Sequence, residues 1–217
     1  MPSRYFPPAS YATPEGLVFV GGRLTTARLL DGYRNGIFPW PTHGDAPMLW
    51  WSPDPRAVLP LDGLYVSSRL ERRLRNHALT VSFDEAFDSV IRSCGTGPGR
   101  ELGTWLTPEM IDAYNELHTL GHAHSVEVWQ GGELVGGVYG VAIGAFFSAE
   151  SMFHRTRDGS KMALFHLVVQ LRRRRFELLD VQQWTPHTGR MGVVEISRRE
   201  YLKRLKLAVD LPRSFLG

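Results

Sequence analysis

The stretch from residue 121 to residue 153 constrains the fold of this 217-residue chain more than any other. Two strand-like runs, HSVEVWQ and ELVGGVYGVAIG, meet near Gly131-Gly132, a dipeptide that adopts positive φ easily and therefore favours a tight hairpin turn. The run AFFSAESMF reads as a third strand. The sequence predicts an antiparallel meander here.

A helix and another strand follow this meander. The segment SKMALFHLVVQLRRRR places Leu164, Leu167, Val168 and Leu171 on one helical face, and FELLDVQQW is strand-like. The closing segment SRREYLKRLKLA predicts a last helix. The order β-β-β-α-β is similar to the centre of the acyl-coenzyme-A N-acyltransferase fold, which we therefore expect for this part of the chain.

Three further helices are predicted from caps and apolar spacing. ARLLDGYRNG follows a threonine cap, Thr25 or Thr26. Residues 82–94 carry apolar side chains at helical spacing, beginning with Phe83. The third helix begins after Thr107, an N-cap that is followed by proline at the first helical position.

Composition changes along the chain and suggests two domains. The first 60 residues are rich in Gly, Pro and Trp, whereas strand-like and helix-like patterns alternate regularly after about residue 64. We therefore predict an α+β protein with a small N-terminal α/β domain, residues 1–63, and a C-terminal acyltransferase-like (GNAT-like) domain, residues 64–217.

Export and membrane insertion are not expected. Each hydrophobic stretch is interrupted before the roughly 20 apolar residues that a membrane helix needs. The N-terminus has Pro where a secretory signal would carry an apolar block. A lone cysteine, Cys94, agrees with a reducing compartment. We expect a cytoplasmic monomer with neither a membrane partner nor a metal site.

Positive charge is clustered rather than abundant. The formal net charge is only +3, from 25 Lys+Arg and 22 Asp+Glu. Solvated helix faces explain any one cluster, whereas three together favour a phosphate-backbone partner. The clusters are Arg69, Arg72, Arg73 and Arg75; residues 172–175; and Arg198, Arg199, Lys203, Arg204 and Lys206.

Several polar and aromatic side chains stand in unusual surroundings. Glu150 lies within an apolar strand, where a carboxylate is costly unless it is paired or used. Asp180 and Gln182 are two residues apart on a strand and should share a face. Loop tryptophans such as Trp40 and Trp105 are either staples between domains or stacking platforms for a nucleobase. The nucleophile elbow, P-loop and zinc-protease motifs do not occur.

A collinear set of motifs between Gly16 and Leu205 resembles the bacterial leucyl/phenylalanyl-tRNA-protein transferases. The motifs are G-I-F-P-W (36–40), L-W-W-S-P-D-P-R-A-V-L (49–59), G-T-W (103–105), G-H-A-H-S-V-E-V-W (121–129), L-V-G-G-V-Y-G-V-A-I-G (134–144), E-S-M-F (150–153), S-K (160–161) and L-L-D-V-Q (178–182).

The resemblance implies transfer of Leu or Phe, with Met as a further candidate donor, from an aminoacyl-tRNA to the α-amino group of proteins that begin with Arg or Lys, which marks them for degradation. It implies no cofactor. Trp40 and Trp105 would contact the terminal adenosine. Glu150, Asp180 and Gln182 would occupy the polar catalytic positions. The donor side-chain pocket would be lined by Val138, Phe147, Leu164 and Leu179.

Some roles stay open. We expect Gln182, held by Asp180, to orient the incoming amine, and Glu150 either to hold that amine or to recognise the acceptor's basic side chain. The first basic cluster is the expected contact with the acceptor stem. Ala149 stands where the family commonly has Gly, so donor preference is open.

Two alternatives remain. A coenzyme-A-dependent N-acetyltransferase agrees with the expected fold, but the loop HRTRDGSKMA departs from a pyrophosphate-binding loop because Lys161 replaces a small residue. A non-enzymatic RNA-binding module agrees with the basic clusters and the tryptophans.

Overall fold

The computed structural model describes residues 2–40, 47–96 and 106–217. The strands are β1 (Leu17–Val20), β2 (Phe38–Pro39), β3 (Leu49–Trp51), β4 (Arg56–Val58), β5 (Leu79–Phe83), β6 (Ala123–Gln130), β7 (Glu133–Ile143), β8 (Phe146–His154), β9 (Leu178–Gln182) and β10 (Val194–Ile196). The helices are α1 (Thr26–Arg34), α2 (Ser68–Leu74), α3 (Phe87–Thr96), α4 (Pro108–Thr119), α5 (Gly159–Arg173), α6 (Pro186–Gly189) and α7 (Arg198–Ala208).

Within these described ranges the strands form two sheets. A small sheet has the order β1-β3-β2, and a seven-stranded sheet has the order β10-β4-β9-β8-β7-β6-β5. Strands β6, β7 and β8 pair antiparallel, while β9 pairs parallel to β8 after the crossover through α5. The predicted order β-β-β-α-β is confirmed, and the chain is a mixed α/β protein.

Local signals place several of the elements as the sequence predicts. The Thr107 side chain accepts a hydrogen bond from the Met110 N–H and caps α4, which begins at Pro108. Thr25, rather than Thr26, caps α1. Gly131 and Gly132 both have positive φ in the β6–β7 turn, where glycine is favoured.

The helix predicted over residues 82–94 is wrong in its first part. Phe83 ends strand β5, and α3 begins only at Phe87. Asp84 has a φ of 61°, and its carboxylate accepts hydrogen bonds from the Ser125 N–H and the His124 ring. This turn ends the strand, so the apolar spacing across it belongs to two elements.

The buried side chains form two clusters on opposite faces of the large sheet. Neighbouring residues Val138 and Tyr139 belong to different clusters, as strand alternation requires. Helix α5 packs on the Val138 face. The Tyr139 face is covered by α3 and α4, and its cluster continues to Trp50 of the small sheet.

Strand β4 lies between β10 and β9 in the large sheet, although it precedes residue 64. The division into domains at residue 63 therefore stays a prediction. Among the described residues, no helix is both long and apolar enough to cross a membrane.

Candidate active site

A pocket opens between β7, β8, the end of β9 and the segment that follows it. Its cavity volume is about 120 Å³. Most of the lining side chains are apolar. The carboxylate of Glu150 and the carboxamide of Gln182 also line the pocket. The lining residues are Val138, Ala149, Glu150, Ser151, Met152, Leu164, Val181, Gln182, Thr188, Met191 and Val193. The arrangement suits an apolar group that carries a reactive polar end.

Glu150 and Gln182 are in direct contact. The Gln182 side-chain N–H group donates to Oε1 of Glu150 at 2.9 Å and to Oγ of Ser148 at 2.9 Å. Ser148 in turn donates to Oε1 of Glu150 at 2.8 Å. Both Nε2 hydrogens of Gln182 are thereby used, so its carbonyl oxygen is the atom with which the carboxamide accepts a further hydrogen bond.

Burial raises the pKa of Glu150 to about 7, and the negative charge of Asp180 adds to the rise, while hydrogen bonds from Ser148 and Tyr114 oppose it. The carboxyl group therefore exchanges its proton near neutral pH. A carboxylate with this pKa at an apolar pocket is a common mark of a functional site.

Two tyrosines extend the polar network toward α1. The hydroxyl of Tyr114, on α4, donates to Glu150 at 3.3 Å and lies 2.5 Å from the hydroxyl of Tyr33, on α1. Burial first, and then the charge of Glu150, raise the pKa of both tyrosines well above the ordinary value. Both hydroxyls therefore stay protonated and act as neutral hydrogen-bonding groups.

The Asp180 side chain contacts the backbone of Gln182. Its Oδ1 accepts the Gln182 backbone N–H at 2.9 Å. The same carboxylate forms a buried ion pair with Arg56, at 2.6 Å between Nη2 and Oδ2. Asp180 is thus a buried anion, and its charge is balanced by Arg56 of strand β4, in the N-terminal part of the chain.

The residues that the resemblance places in the donor pocket do not all line the cavity. Val138 and Leu164 belong to its wall. Phe147 and Leu179 are each 1% exposed in the same core cluster and are not among the lining residues. They belong to the buried cluster that also contains the wall residues Val138 and Leu164.

Two tryptophans, Trp40 and Trp105, are predicted to contact the terminal adenosine. Trp40, directly after β2, is 40% exposed, and its ring centroid lies 6.3 Å from that of Phe38. The Arg56 guanidinium lies over the other ring of this pair, 4.7 Å from the Phe38 centroid. Three contacts, through Phe38 and Arg56, therefore link Trp40 to Asp180. Trp105 lies outside the described residues.

The first basic cluster forms a surface pocket beside the start of α5. Arg69, Arg72 and Arg73 line it together with Arg157 and Asp158. Arg69 forms an ion pair of 3.2 Å with Asp158, and Arg73 donates to the Arg157 carbonyl at 3.3 Å. Arg75 is separate from this pocket and pairs with Glu71 on its own helix at 3.9 Å.

Sequence reasoning missed Arg56, Tyr201, Tyr33 and Tyr114, which surround the catalytic candidates. Arg56 stands in a quoted motif and is followed by Ala-Val-Leu, an apolar run that hints at a buried arginine. The three tyrosines lie on amphipathic helices, where the sequence pattern assigns an aromatic residue to the hydrophobic core.

Comparison with known proteins gives a consistent result. A family model described as leucyl/phenylalanyl-tRNA protein transferase matches residues 58–206, and one for the N-terminal domain of the same transferase matches residues 22–54. A leucyl/phenylalanyl-tRNA–protein transferase of Solidesulfovibrio magneticus is 52% identical over 204 residues, which cover 94% of this chain and 82% of that protein. One of Syntrophobacter fumaroxidans is 53% identical over 213 residues, which cover 98% and 90%.

Solved structures resemble the chain only distantly. A ribosomal-protein-alanine N-acetyltransferase from Brucella melitensis has a TM-score of 0.38 and 15% identity, covering 52% of this chain and 86% of that one. L-PGS from Bacillus licheniformis has a TM-score of 0.44 and 14% identity, covering 70% and 56%.

Proposed function

This chain belongs to the leucyl/phenylalanyl-tRNA–protein transferase family, and on that premise we propose that it transfers leucine or phenylalanine from an aminoacyl-tRNA to the N-terminal α-amino group of proteins that begin with Arg or Lys. The enzyme is an aminoacyltransferase. In the proposal the modified proteins are thereby marked for degradation, and the reaction takes place in the cytoplasm.

The observation that carries the proposal is the apolar pocket with Glu150 and Gln182 at its side. Its lining suits an aminoacyl side chain such as that of leucine or phenylalanine. The donor ester would then lie beside the two polar groups. Donor discrimination by such a pocket is modest, about 1–3 kcal/mol per methylene.

The reaction is the aminolysis of an ester. The acceptor nitrogen attacks the carbonyl carbon, a C–N bond forms, and the C–O bond to the ribose breaks. The amine loses a proton to water or to a substrate oxygen, and the ribose hydroxyl leaves as an alcohol. Because an α-amino group has a reference pKa near 7.7 to 8.0, part of it is already neutral at pH 7, and no strong base is required.

Positioning can therefore provide much of the acceleration. Orientation of two reactants is worth up to roughly 7 to 11 kcal/mol in well-aligned systems. The Gln182 carbonyl oxygen accepts an N–H of the incoming amine in this proposal, since the Nε2 hydrogens are already bound to Ser148 and Glu150. A carboxamide orients the nucleophile well and is a poor base.

Glu150 provides negative charge for a cationic acceptor. An N-terminal Arg or Lys brings both an α-ammonium group and a basic side chain, and ionised Glu150 attracts either of them. The Glu150 carboxylate at the pocket therefore supports the preference for basic acceptors.

The tRNA body is proposed to contact the α2 surface pocket, where Arg69, Arg72 and Arg73 gather, and Trp40 with Trp105 is proposed to stack on the terminal adenine. In this proposal the enzyme acts as a monomer. The meander, α5 and parallel β9 support an N-acyltransferase-like arrangement in residues 64–217, with residues 1–63 as the smaller unit.

Labelled acyl transfer tests the proposal. Purified protein is incubated with an Arg-starting peptide and, in separate reactions, with Leu-, Phe- or Met-charged tRNA or with acetyl-coenzyme A. We expect label in the peptide from Leu- and Phe-tRNA and none with the same peptide acetylated at its N-terminus. The proposal is contradicted if the peptide is labelled only by acetyl-coenzyme A, or if none of the donors labels it.

A further inference from the structure

The Arg56 guanidinium is enclosed by protein on every side. The residue is 1% exposed. Its group lies between two aromatic rings, 4.7 Å from the Phe38 centroid and 4.4 Å from the Tyr201 centroid. Nη1 donates to the Gly36 carbonyl at 3.1 Å, so the arginine also binds the chain just after α1. Such a planar group, stacked and hydrogen-bonded, has one orientation.

That orientation presents two N–H groups to the two oxygens of Asp180. Nε donates to Oδ1 at 2.9 Å and Nη2 to Oδ2 at 2.6 Å, the bidentate geometry that fixes both partners. The Tyr201 hydroxyl donates to Oδ2 at 2.8 Å, and the Gln182 backbone N–H donates to Oδ1 at 2.9 Å. Each carboxylate oxygen therefore accepts two hydrogen bonds.

The bond to Gln182 is the one that leads to the pocket. Gln182 has a φ of 58°, in the left-handed region that residues with a side chain seldom adopt. A backbone in this region persists only when its surroundings hold it. Asp180 supplies such a bond directly at the Gln182 nitrogen, and this conformation aims the carboxamide at Glu150 and Ser148.

We infer that Arg56 is a positioning residue for the transfer step: through Asp180, and together with Tyr201, it holds the backbone of Gln182 in the conformation that points the carboxamide into the pocket. The inference rests on the proposed function. Asp180 acts as the anchor of this backbone and, with both oxygens occupied, takes no proton from the amine.

A double-mutant cycle tests whether Arg56 acts through Gln182. Single-turnover transfer from saturating Leu-tRNA is measured for the wild type, Arg56→Lys, Gln182→Ala and the double variant. Arg56→Lys keeps the charge but loses the bidentate fork. We expect it to slow transfer at least tenfold in the Gln182 background and less than twofold in the Gln182→Ala background, while the KM for the donor changes less than twofold.

Two further variants keep the cycle interpretable. Arg92→Lys makes the same substitution in an exposed ion pair with Asp88, at 2.8 Å, and should leave the rate unchanged. If Arg56→Lys does not fold, Tyr201→Phe replaces it. This variant keeps the ring beside the guanidinium and removes the hydroxyl, which donates to Asp180 at 2.8 Å and accepts from Nη2 of Arg56 at 3.2 Å. The expected slowing is then about threefold to tenfold. Equal slowing in both Gln182 backgrounds overturns the inference.

Hydrogen exchange at the Gln182 backbone amide tests the anchor without any transfer. We expect exchange at least tenfold faster in Arg56→Lys, or in Tyr201→Phe, with the Val141 amide of β7 unchanged. An unaltered Gln182 amide overturns the inference even when the enzyme is active. A wild type that transfers nothing contradicts the proposed function instead, and the exchange measurement still decides the role of Arg56.

Discussion

The side-chain amide of Gln182 donates a hydrogen bond of 2.9 Å to the carboxylate of Glu150. This bond favours the ionised acid, whereas burial disfavours it and raises the pKa of Glu150 to about 7. The result is a carboxyl group that changes charge close to neutral pH while it touches the residue proposed to orient the nucleophile. Stability and activity should both depend on that charge.

Replacing Glu150 should stabilise the fold at high pH. Because the folded pKa is above the ordinary value of 4.5, the protonated acid stabilises the protein at low pH, and this contribution is lost as the pH rises through about 7. Glu150→Gln should therefore raise the free energy of unfolding at pH 8 by up to about 3 kcal/mol, and by much less at pH 5. Urea denaturation at both pH values measures this. Glu71→Gln, in an exposed pair, is the matched control and should show no such difference.

The same charge should shape the pH dependence of transfer. At pH 6 only about one tenth of Glu150 is ionised, so the attraction for a cationic acceptor weakens. Between pH 8 and pH 6, kcat/KM for an Arg-starting peptide should fall up to about tenfold more in the wild type than in Glu150→Gln. Both enzymes share the loss that comes from protonation of the peptide's own amine. Parallel profiles would mean that Glu150 does not attract the acceptor.

Trp40 should contribute to donor binding and little to chemistry. Loss of one base-stacking ring costs about 1–3 kcal/mol, so Trp40→Ala should raise the KM for the aminoacyl-tRNA roughly fivefold or more, with kcat within twofold. Steady-state kinetics with varied Leu-tRNA make the measurement. Tyr11→Ala removes an aromatic ring that is 77% exposed and should change neither constant. A change confined to kcat argues against stacking at Trp40.

Much of the fold follows from local chemistry, and the exceptions have physical causes. The cap at Thr107 and the Gly131-Gly132 turn act within a few residues and are confirmed. The helix predicted over residues 82–94 failed because Phe83 satisfies a strand face as well as a helical stripe. The turn at Asp84 depends on His124 and Ser125, about 40 residues away along the chain.

The site shows the same limit more strongly. Glu150 could be selected from the sequence because a carboxylate in an apolar strand needs a reason, and Gln182 because of its spacing from Asp180 and the family resemblance. The contact between Arg56 and Asp180 could not be predicted from the sequence, because 124 residues separate them and only tertiary packing brings β4 beside β9. The left-handed backbone of Gln182 also escapes sequence reasoning, which expected simple strand alternation and a direct side-chain contact.

Ala149 should narrow the donor pocket. Its side chain lines the cavity, and the family resemblance implies glycine at this position. Ala149→Gly removes one methyl group and should raise the ratio of kcat/KM for Phe-tRNA to that for Leu-tRNA by roughly tenfold. Competition between the two charged tRNAs measures the ratio. Ala163→Gly, buried on α5 and not among the residues that line the pocket, loses the same methyl and should leave the ratio unchanged. A ratio that moves equally in both variants reflects loosened packing.

The arginines of α2 should determine how strongly tRNA binding depends on salt. Each phosphate contact contributes a slope of about 0.9 in the logarithmic dependence of affinity on salt concentration. Replacing Arg69, Arg72 and Arg73 together by Gln should lower the magnitude of the slope by roughly 2 to 3. Asp158 keeps a cation, because Lys161 lies 3.4 Å away, so this triple change should not unfold the loop before α5.

The control for this measurement is a second set of three cations on α7. Arg199, Lys203 and Lys206 are exposed and lie at helical spacing, so their replacement by Gln removes the same charge from a different surface. Filter binding of charged tRNA between 50 and 200 mM salt compares the two variants. Because both lose three positive charges, a mere change in net charge lowers affinity equally in each. A slope that falls only in the α7 variant would place the tRNA backbone on that helix and leave the α2 pocket without this role.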